Sequence, residues 1–192
     1  LYARLQGKIN KFKAGQYIIS PAYNTPQIID IIEAGKVATM SFTIPEGYNL
    51  RQIAAVMVDK GICTQEEFWR AINEEEYDYP FLKDLPDVEY RLEGYLFPDT
   101  YSIPLGMKVE QVINTMLKRF AQVYDNLPPN ETGLSTHEVV TLASIVEGES
   151  LVDEERPLVA SVFFNRLKIG MKLDSDATIQ YLFDEHKERV LF

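Results

Sequence analysis

Ser135-Thr136-His137-Glu138-Val139-Val140-Thr141-Leu142-Ala143-Ser144-Ile145-Val146-Glu147-Gly148-Glu149-Ser150 sets the helical character of the second part of the chain. Ser135 and Glu138, three residues apart ahead of an apolar run, form a capping box that opens a helix. The helix delivers two glutamates at its C-terminal end. Carboxylates are disfavoured there, because the aligned peptide dipoles leave partial negative charge at a helix C-terminus. The same field raises a carboxyl pKa, which suits a general acid that must hold its proton near neutral pH. Residues two apart on a helix point about 200° apart, so Glu147 and Glu149 cannot face one pocket. Glu149 stacks over Ile145 and Val146, with Leu142 a turn behind; Glu147 stacks over Ala143 and Ser144, with Val140 behind. The bulkier neighbours predict stronger desolvation for Glu149 and make it the candidate acid. The plainer alternative is a pair of solvated glutamates at a helix end.

Downstream, residues 153–167 predict a second helix, capped by Asp153, with Pro157 near its first turn and Gly170 ending the element. Asn165 and Arg166 follow a mostly apolar stretch and can hydrogen-bond a sugar or hold the glutamate helix; alternatively, Arg166 pairs with a surface carboxylate. Residues 171–173 read as a short strand. Asp174-Ser175-Asp176 has too few oxygen ligands for a calcium loop and reads as a cap ahead of residues 177–181. Upstream, residues 109–124 carry apolar side chains at 3–4 spacing, as an amphipathic helix does. Residues 64–73 predict a helix capped by Thr64 and Glu67. Residues 73–89, acidic and aromatic with Pro80 and Pro86, read as a loop, and residues 92–101 as turn-rich and extended.

The first 61 residues repeat weakly at an offset of 25: Tyr23, Asn24 and Gln27 recur as Tyr48, Asn49 and Gln52. Each copy reads as a strand (16–20 and 41–45), a turn and a helix that ends near Gly35 or Gly61. Asn24 or Thr25, and Asn49, are the expected N-caps. Two adjacent β-turn-α units with chance similarity account for the pattern. So does a small duplicated module, whose units look like the LysM-type modules that bind cell-wall glycan.

Composition narrows the field. The 192 residues hold 29 acidic and 19 basic side chains, for a net charge of −10. An acidic chain without a basic patch repels phosphate backbones, so nucleic acid is excluded as a partner. The single cysteine, Cys63, rules out an internal disulfide and a cysteine zinc cluster, and two histidines, His137 and His186, are too few for a typical zinc site. His137 and His186 read as exposed, and Cys63 as a packing residue. No metal is expected. The longest apolar runs fall short of the roughly 18 residues that a membrane span requires. The chain opens at Leu1 without a signal peptide, which reads as a portion of something longer.

Four stretches together carry a resemblance: residues 93–101, Glu-Gly-Tyr-Leu-Phe-Pro-Asp-Thr-Tyr; residues 142–150, Leu-Ala-Ser-Ile-Val-Glu-Gly-Glu-Ser; residues 159–167 with Gly170-Met171-Lys172-Leu173; and Asp176-Ala177-Thr178-Ile179-Gln180-Tyr181. In order and spacing they resemble the YceG-like family, the endolytic murein transglycosylases of the MltG type. The resemblance covers nearly the whole chain. It implies an α+β fold: a small LysM-like β-α module over residues 1–62, followed by a mostly helical catalytic domain with short strands over residues 63–192. It implies a lyase that cleaves the MurNAc–GlcNAc bond of nascent peptidoglycan without water, leaving 1,6-anhydroMurNAc ends. Glu149 matches the catalytic glutamate. Glu147, Tyr95, Asn165, Arg166, Asp176 and Thr178 match positions that line or support the cleft. The family acts on the extracytoplasmic face through an N-terminal membrane anchor that this chain lacks, on glycan strands and alongside cell-wall synthesis proteins. It uses no cofactor; an older family label, aminodeoxychorismate lyase, finds no phosphate cup or Schiff-base lysine here. Ala177 stands where the family usually has proline, and family members continue past the point where this chain stops. The rival reading is a non-catalytic peptidoglycan-binding protein.

Overall fold

Four helices start on the same device: a side chain at the N-cap accepts from the backbone three residues on, while the residue there reaches back to the cap amide. The pairs are Asn24 with Gln27, Asn49 with Gln52, Thr64 with Glu67 and Ser135 with Glu138. Each pair satisfies two of the amide donors that a helix start leaves open. The computed structural model describes residues 2–183, apart from 84, 87 and 89. His186 lies outside the described residues.

In chain order the elements are α1 (Tyr2–Leu5), α2 (Thr25–Ala34), β1 (Thr39–Thr43), α3 (Leu50–Asp59), α4 (Gln65–Asn73), β2 (Thr100–Pro104), α5 (Val109–Tyr124), α6 (Thr136–Glu149), α7 (Arg156–Lys168) and α8 (Asp176–Gln180), with short 3-10 turns between some of them. The fold is α+β, as expected. β1 and β2 form an antiparallel pair, with Thr39 opposite Pro104 and Thr43 opposite Thr100. Their inward residues, Phe42 and Tyr101, stack with ring centroids 5.4 Å apart. One hydrophobic core runs from this pair through Ile53 and Met57 of α3 and Phe68 and Ile72 of α4 to α5. α5 alone buries Val109, Val112, Ile113, Met116, Leu117 and Phe120, each of which contributes about 1.5–3 kcal/mol on leaving water. A smaller cluster of Leu142, Val146 and Phe163 joins α6 to α7.

Several local expectations are revised. Residues 16–20 form no strand: Ala38 N donates to Gln16 O at 2.8 Å and Tyr23 N closes a turn on Ser20 O at 3.0 Å, with no ladder between them, and Ile18 stays exposed. Among the described residues the sheet has two strands, β1 and β2. β1 itself begins at Thr39 rather than at residue 41. Residues 90–95 are turns, and the chain extends only towards β2. The turn depends on Gly94, at φ 83°; a Cβ there would lie 2.8 Å from Val140 of α6. α3 closes at Asp59 and Gly61 follows at φ 66°, as expected. Residues 171–173 form no regular strand. Asp153 opens a 3-10 turn without a side-chain cap, and α7 follows it. The boundary expected at residues 62 and 63 passes through the shared core, because β1 and α3 pack with β2, α4 and α5.

Candidate active site

α6 is seated on the main core by its N-terminal half. Tyr124 Oη and Thr136 Oγ1 lie 3.0 Å apart, Val140 packs on the core, and His137 lies against Tyr95, with Tyr95 Oη 3.3 Å from its Nδ1. His137 is therefore half-buried and not exposed as expected. Tyr95 is fully buried between Phe81 and Phe120. Of the two expected roles, lining or supporting the cleft, its burial and its contact with His137 favour support of α6.

The two glutamates at the end of α6 point to different sides. Glu147 follows Val140 by seven residues, which keeps it on the face turned towards the first half of the chain. There it is half-buried beside the turn between β1 and α3. Burial pushes its carboxyl above the ordinary value, and the charge of Glu46 adds to this; Arg156 and the Gly47 backbone act the other way. Arg156 in turn reaches Glu46 at 3.6 Å and Asp153 at 3.2 Å.

Glu149 is exposed. The expected order of burial is thus reversed. Helical neighbours alone favour Glu149, but a distant turn covers Glu147. Glu149 instead meets the start of α8. Its Oε1 accepts from Ser175 Oγ at 2.5 Å and from the Ala177 amide at 3.2 Å. The approach is close because Gly148 has no side chain; a Cβ there would lie 2.8 Å from that of Ala177.

Of the remaining predicted residues, Arg166 does not reach the glutamates. Its guanidinium donates to the Leu173 carbonyl, which fixes the segment leading to Ser175. Asn165 and Asp176 are exposed. Thr178 Oγ1 donates to the Ser175 carbonyl at 2.7 Å, which ties off the first turn of α8. Arg166 and Thr178 therefore flank Ser175 and support it from both sides. Cys63 packs against the core, and burial pushes its thiol up to about 11, which leaves it protonated at neutral pH.

Sequence reading missed Ser175 as a partner of Glu149, and it missed Glu93. Glu93 accepts from the Leu50 amide at 3.1 Å, at the start of α3, and from Tyr181 Oη at 2.8 Å, at the end of α8. Burial raises its carboxyl, and these hydrogen bonds pull it back. Arg51 donates to the Tyr181 carbonyl at 2.6 Å and lies 5.5 Å from the centre of its ring. These contacts join α8 to α3 across 130 residues of chain. Glu93 and Tyr181 lie inside the quoted motifs, and Arg51 lies outside them. Two concavities of the described surface, one around Tyr77, Leu82 and Arg91 and the other around Met40, Ile62 and Met107, contain none of the predicted site residues. Among the described residues no cluster of His, Cys, Asp and Glu fits a metal ion, and no helix is long and apolar enough to cross a membrane.

The chain is similar to known proteins. The family model described as "YceG-like family" matches residues 1–192. The endolytic murein transglycosylase of Bacillus subtilis (strain 168) is 30% identical over 206 residues, covering 100% of this chain and 57% of the relative. The endolytic murein transglycosylase of Streptococcus pneumoniae serotype 2 (strain D39) is 35% identical over 196 residues, covering 88% of this chain and 35% of the relative. The chain therefore spans about half or less of the length of these relatives. A crystal structure of a yceG-like protein from Listeria monocytogenes superposes with a TM-score of 0.65 at 31% identity, covering 100% of this chain and 67% of that one.

Proposed function

This chain belongs to the YceG-like family, and on that premise we propose that it is the part of an endolytic murein transglycosylase that carries the catalytic acid. The substrate is a nascent peptidoglycan strand outside the cytoplasm, and the reaction leaves 1,6-anhydroMurNAc ends. Glu149 protonates the glycosidic oxygen as the bond from C1 breaks. The carboxylate then takes the proton of the MurNAc C6 hydroxyl while that oxygen closes on C1. No water is consumed and Glu149 ends protonated, so one carboxylate serves both steps. A glycosidase that uses water or a protein nucleophile requires two.

The observation that carries this reading is the position of Glu149: exposed at the end of α6, yet held through one oxygen by Ser175 and Ala177. A polymer can reach such a carboxyl, and the bound glycan supplies the desolvation that the free surface lacks. Asp176, exposed next to Ser175, and Asn165, exposed on α7, are the proposed glycan contacts. Arg166 and Thr178 are supports. An anchor outside this chain, and cell-wall synthesis proteins as neighbours, complete the proposal.

A second assignment has its own support. Glu147 is the glutamate whose carboxyl burial pushes above its ordinary value, the direction a general acid requires. The deciding experiment incubates purified sacculi with the full-length protein and analyses the products by mass for 1,6-anhydro ends. Glu149→Gln is expected to abolish these ends, while Glu147→Gln retains them. The reverse pattern moves the acid to Glu147. Absence of such ends from wild type as well favours a peptidoglycan-binding protein without catalysis.

A further inference from the structure

We propose that Ser175 is the positioning residue of the transglycosylase acid, holding Glu149 in the rotamer that presents Oε2 to the glycosidic oxygen. The inference rests on the reading of Glu149 as that acid. Ser175 is 5% exposed and is the buried polar side chain of the described core. A buried hydroxyl needs a partner, and this one donates to Glu149 Oε1 at 2.5 Å. The Ala177 amide donates to the same oxygen at 3.2 Å. With two donors on Oε1, the transferable proton belongs on Oε2, the oxygen left for substrate. After transfer the two donors face a carboxylate and stabilise it, so the same contact favours the charge that forms in the first step.

Three features of the chain aim Ser175 inward. Asp174 adopts a left-handed conformation, φ 48°, which turns the backbone just before it. Arg166 holds the Leu173 carbonyl, and Thr178 holds that of Ser175. Ser175 stands at the N-cap of α8 but makes no side-chain cap bond to that helix. Its hydroxyl is directed to Glu149 instead, where an ordinary N-cap serine would serve its own helix.

The test compares Ser175→Thr with Ser175→Val in the full-length protein acting on soluble glycan strands. The two side chains have nearly the same shape, and one lacks the hydroxyl. Ser175→Val is expected to lower kcat on the order of tenfold to a hundredfold with KM little changed, and Ser175→Thr to recover most of it. Melting temperatures of both variants are measured alongside, and Ser175→Ala replaces Ser175→Val if the latter fails to fold. A hydroxyl-free variant with wild-type kcat overturns the proposal, as does a Ser175→Thr that is folded like wild type yet falls as far as Ser175→Val. Glu149→Gln is assayed in parallel. If it stays active, the acid assignment itself fails; if it is inactive while Ser175→Val is fully active, only the role of Ser175 fails.

Discussion

At Glu147 the cost of charge is set by a turn that lies a hundred residues away in the chain. The surroundings of the 45–49 turn raise its carboxyl above the ordinary glutamate value. The folded protein therefore binds this proton more tightly than the unfolded chain does. Its contribution to stability is present below the unfolded value and is lost as pH rises through the raised one. Glu147→Gln removes that loss. The melting temperature of the variant relative to wild type is expected to climb between about pH 4 and pH 7; a difference that stays flat over this range argues against a raised carboxyl. Glu93 poses the opposite case, a carboxylate whose partners matter more than its charge. Glu93→Ala strands the Leu50 amide and Tyr181 Oη, with an expected cost of about 1–3 kcal/mol in urea unfolding. Individual roles at this scale were only partly legible. The motif spelling singled out Glu149 and its neighbours, but the burial of Glu147 and the pairing of Ser175 with Glu149 depend on side chains that meet only after folding. Local helical stacking carries no information about either.

Elements were far more legible, because caps and periodicity are local. The helix at 109–124 appears with the expected bounds, and the Asn24 and Asn49 caps of the internal repeat both form full capping boxes. Asn49→Ala is expected to cost about 0.5–2 kcal/mol, read from thermal unfolding. The first strand of the repeat failed for a reason outside its own sequence. Alternation makes a strand possible, but a ladder must form with a neighbour, and the bond between residues 16–20 and the region of β1 is the single one from Ala38 N to Gln16 O. Contacts between helices were likewise invisible. Gly148 reads as an ordinary helix-end glycine, yet it is where α6 and α8 touch. Gly148→Ala would gain helix propensity and still drive a methyl to 2.8 Å from Ala177. α8 must then shift, and Ser175 with it. The expected result is a loss of 1,6-anhydro product larger than any change in melting temperature. Wild-type product yield from a folded variant would show that the spacing of α6 and α8 does not govern the site.

For the whole molecule, the question is where the chain can be divided. A module boundary after residue 62 follows from the repeat and from the LysM-like appearance of its units. The core runs across that boundary. β1 and α3 contribute Phe42, Ile44, Leu50, Ile53 and Met57 to the cluster completed by α4 and α5, and β1 has its partner strand at residues 100–104. A cut at 62 would leave β2 as a lone strand and uncover one side of α5. It would also remove the Leu50 amide that donates to Glu93 and the Arg51 that donates to the Tyr181 carbonyl, so α8 would keep its contact with α6 and lose its ties to α3. The piece beginning at residue 63 is therefore expected to show no cooperative thermal transition by circular dichroism and to expose apolar surface to a hydrophobic dye. Co-expression with residues 1–62 as a separate chain should restore both properties, because the missing faces are supplied by packing rather than by covalent connection. Cooperative unfolding of the 63–192 piece alone would mean that the sheet and α3 are accessories, and that the glutamate helix stands on α4 and α5 without them.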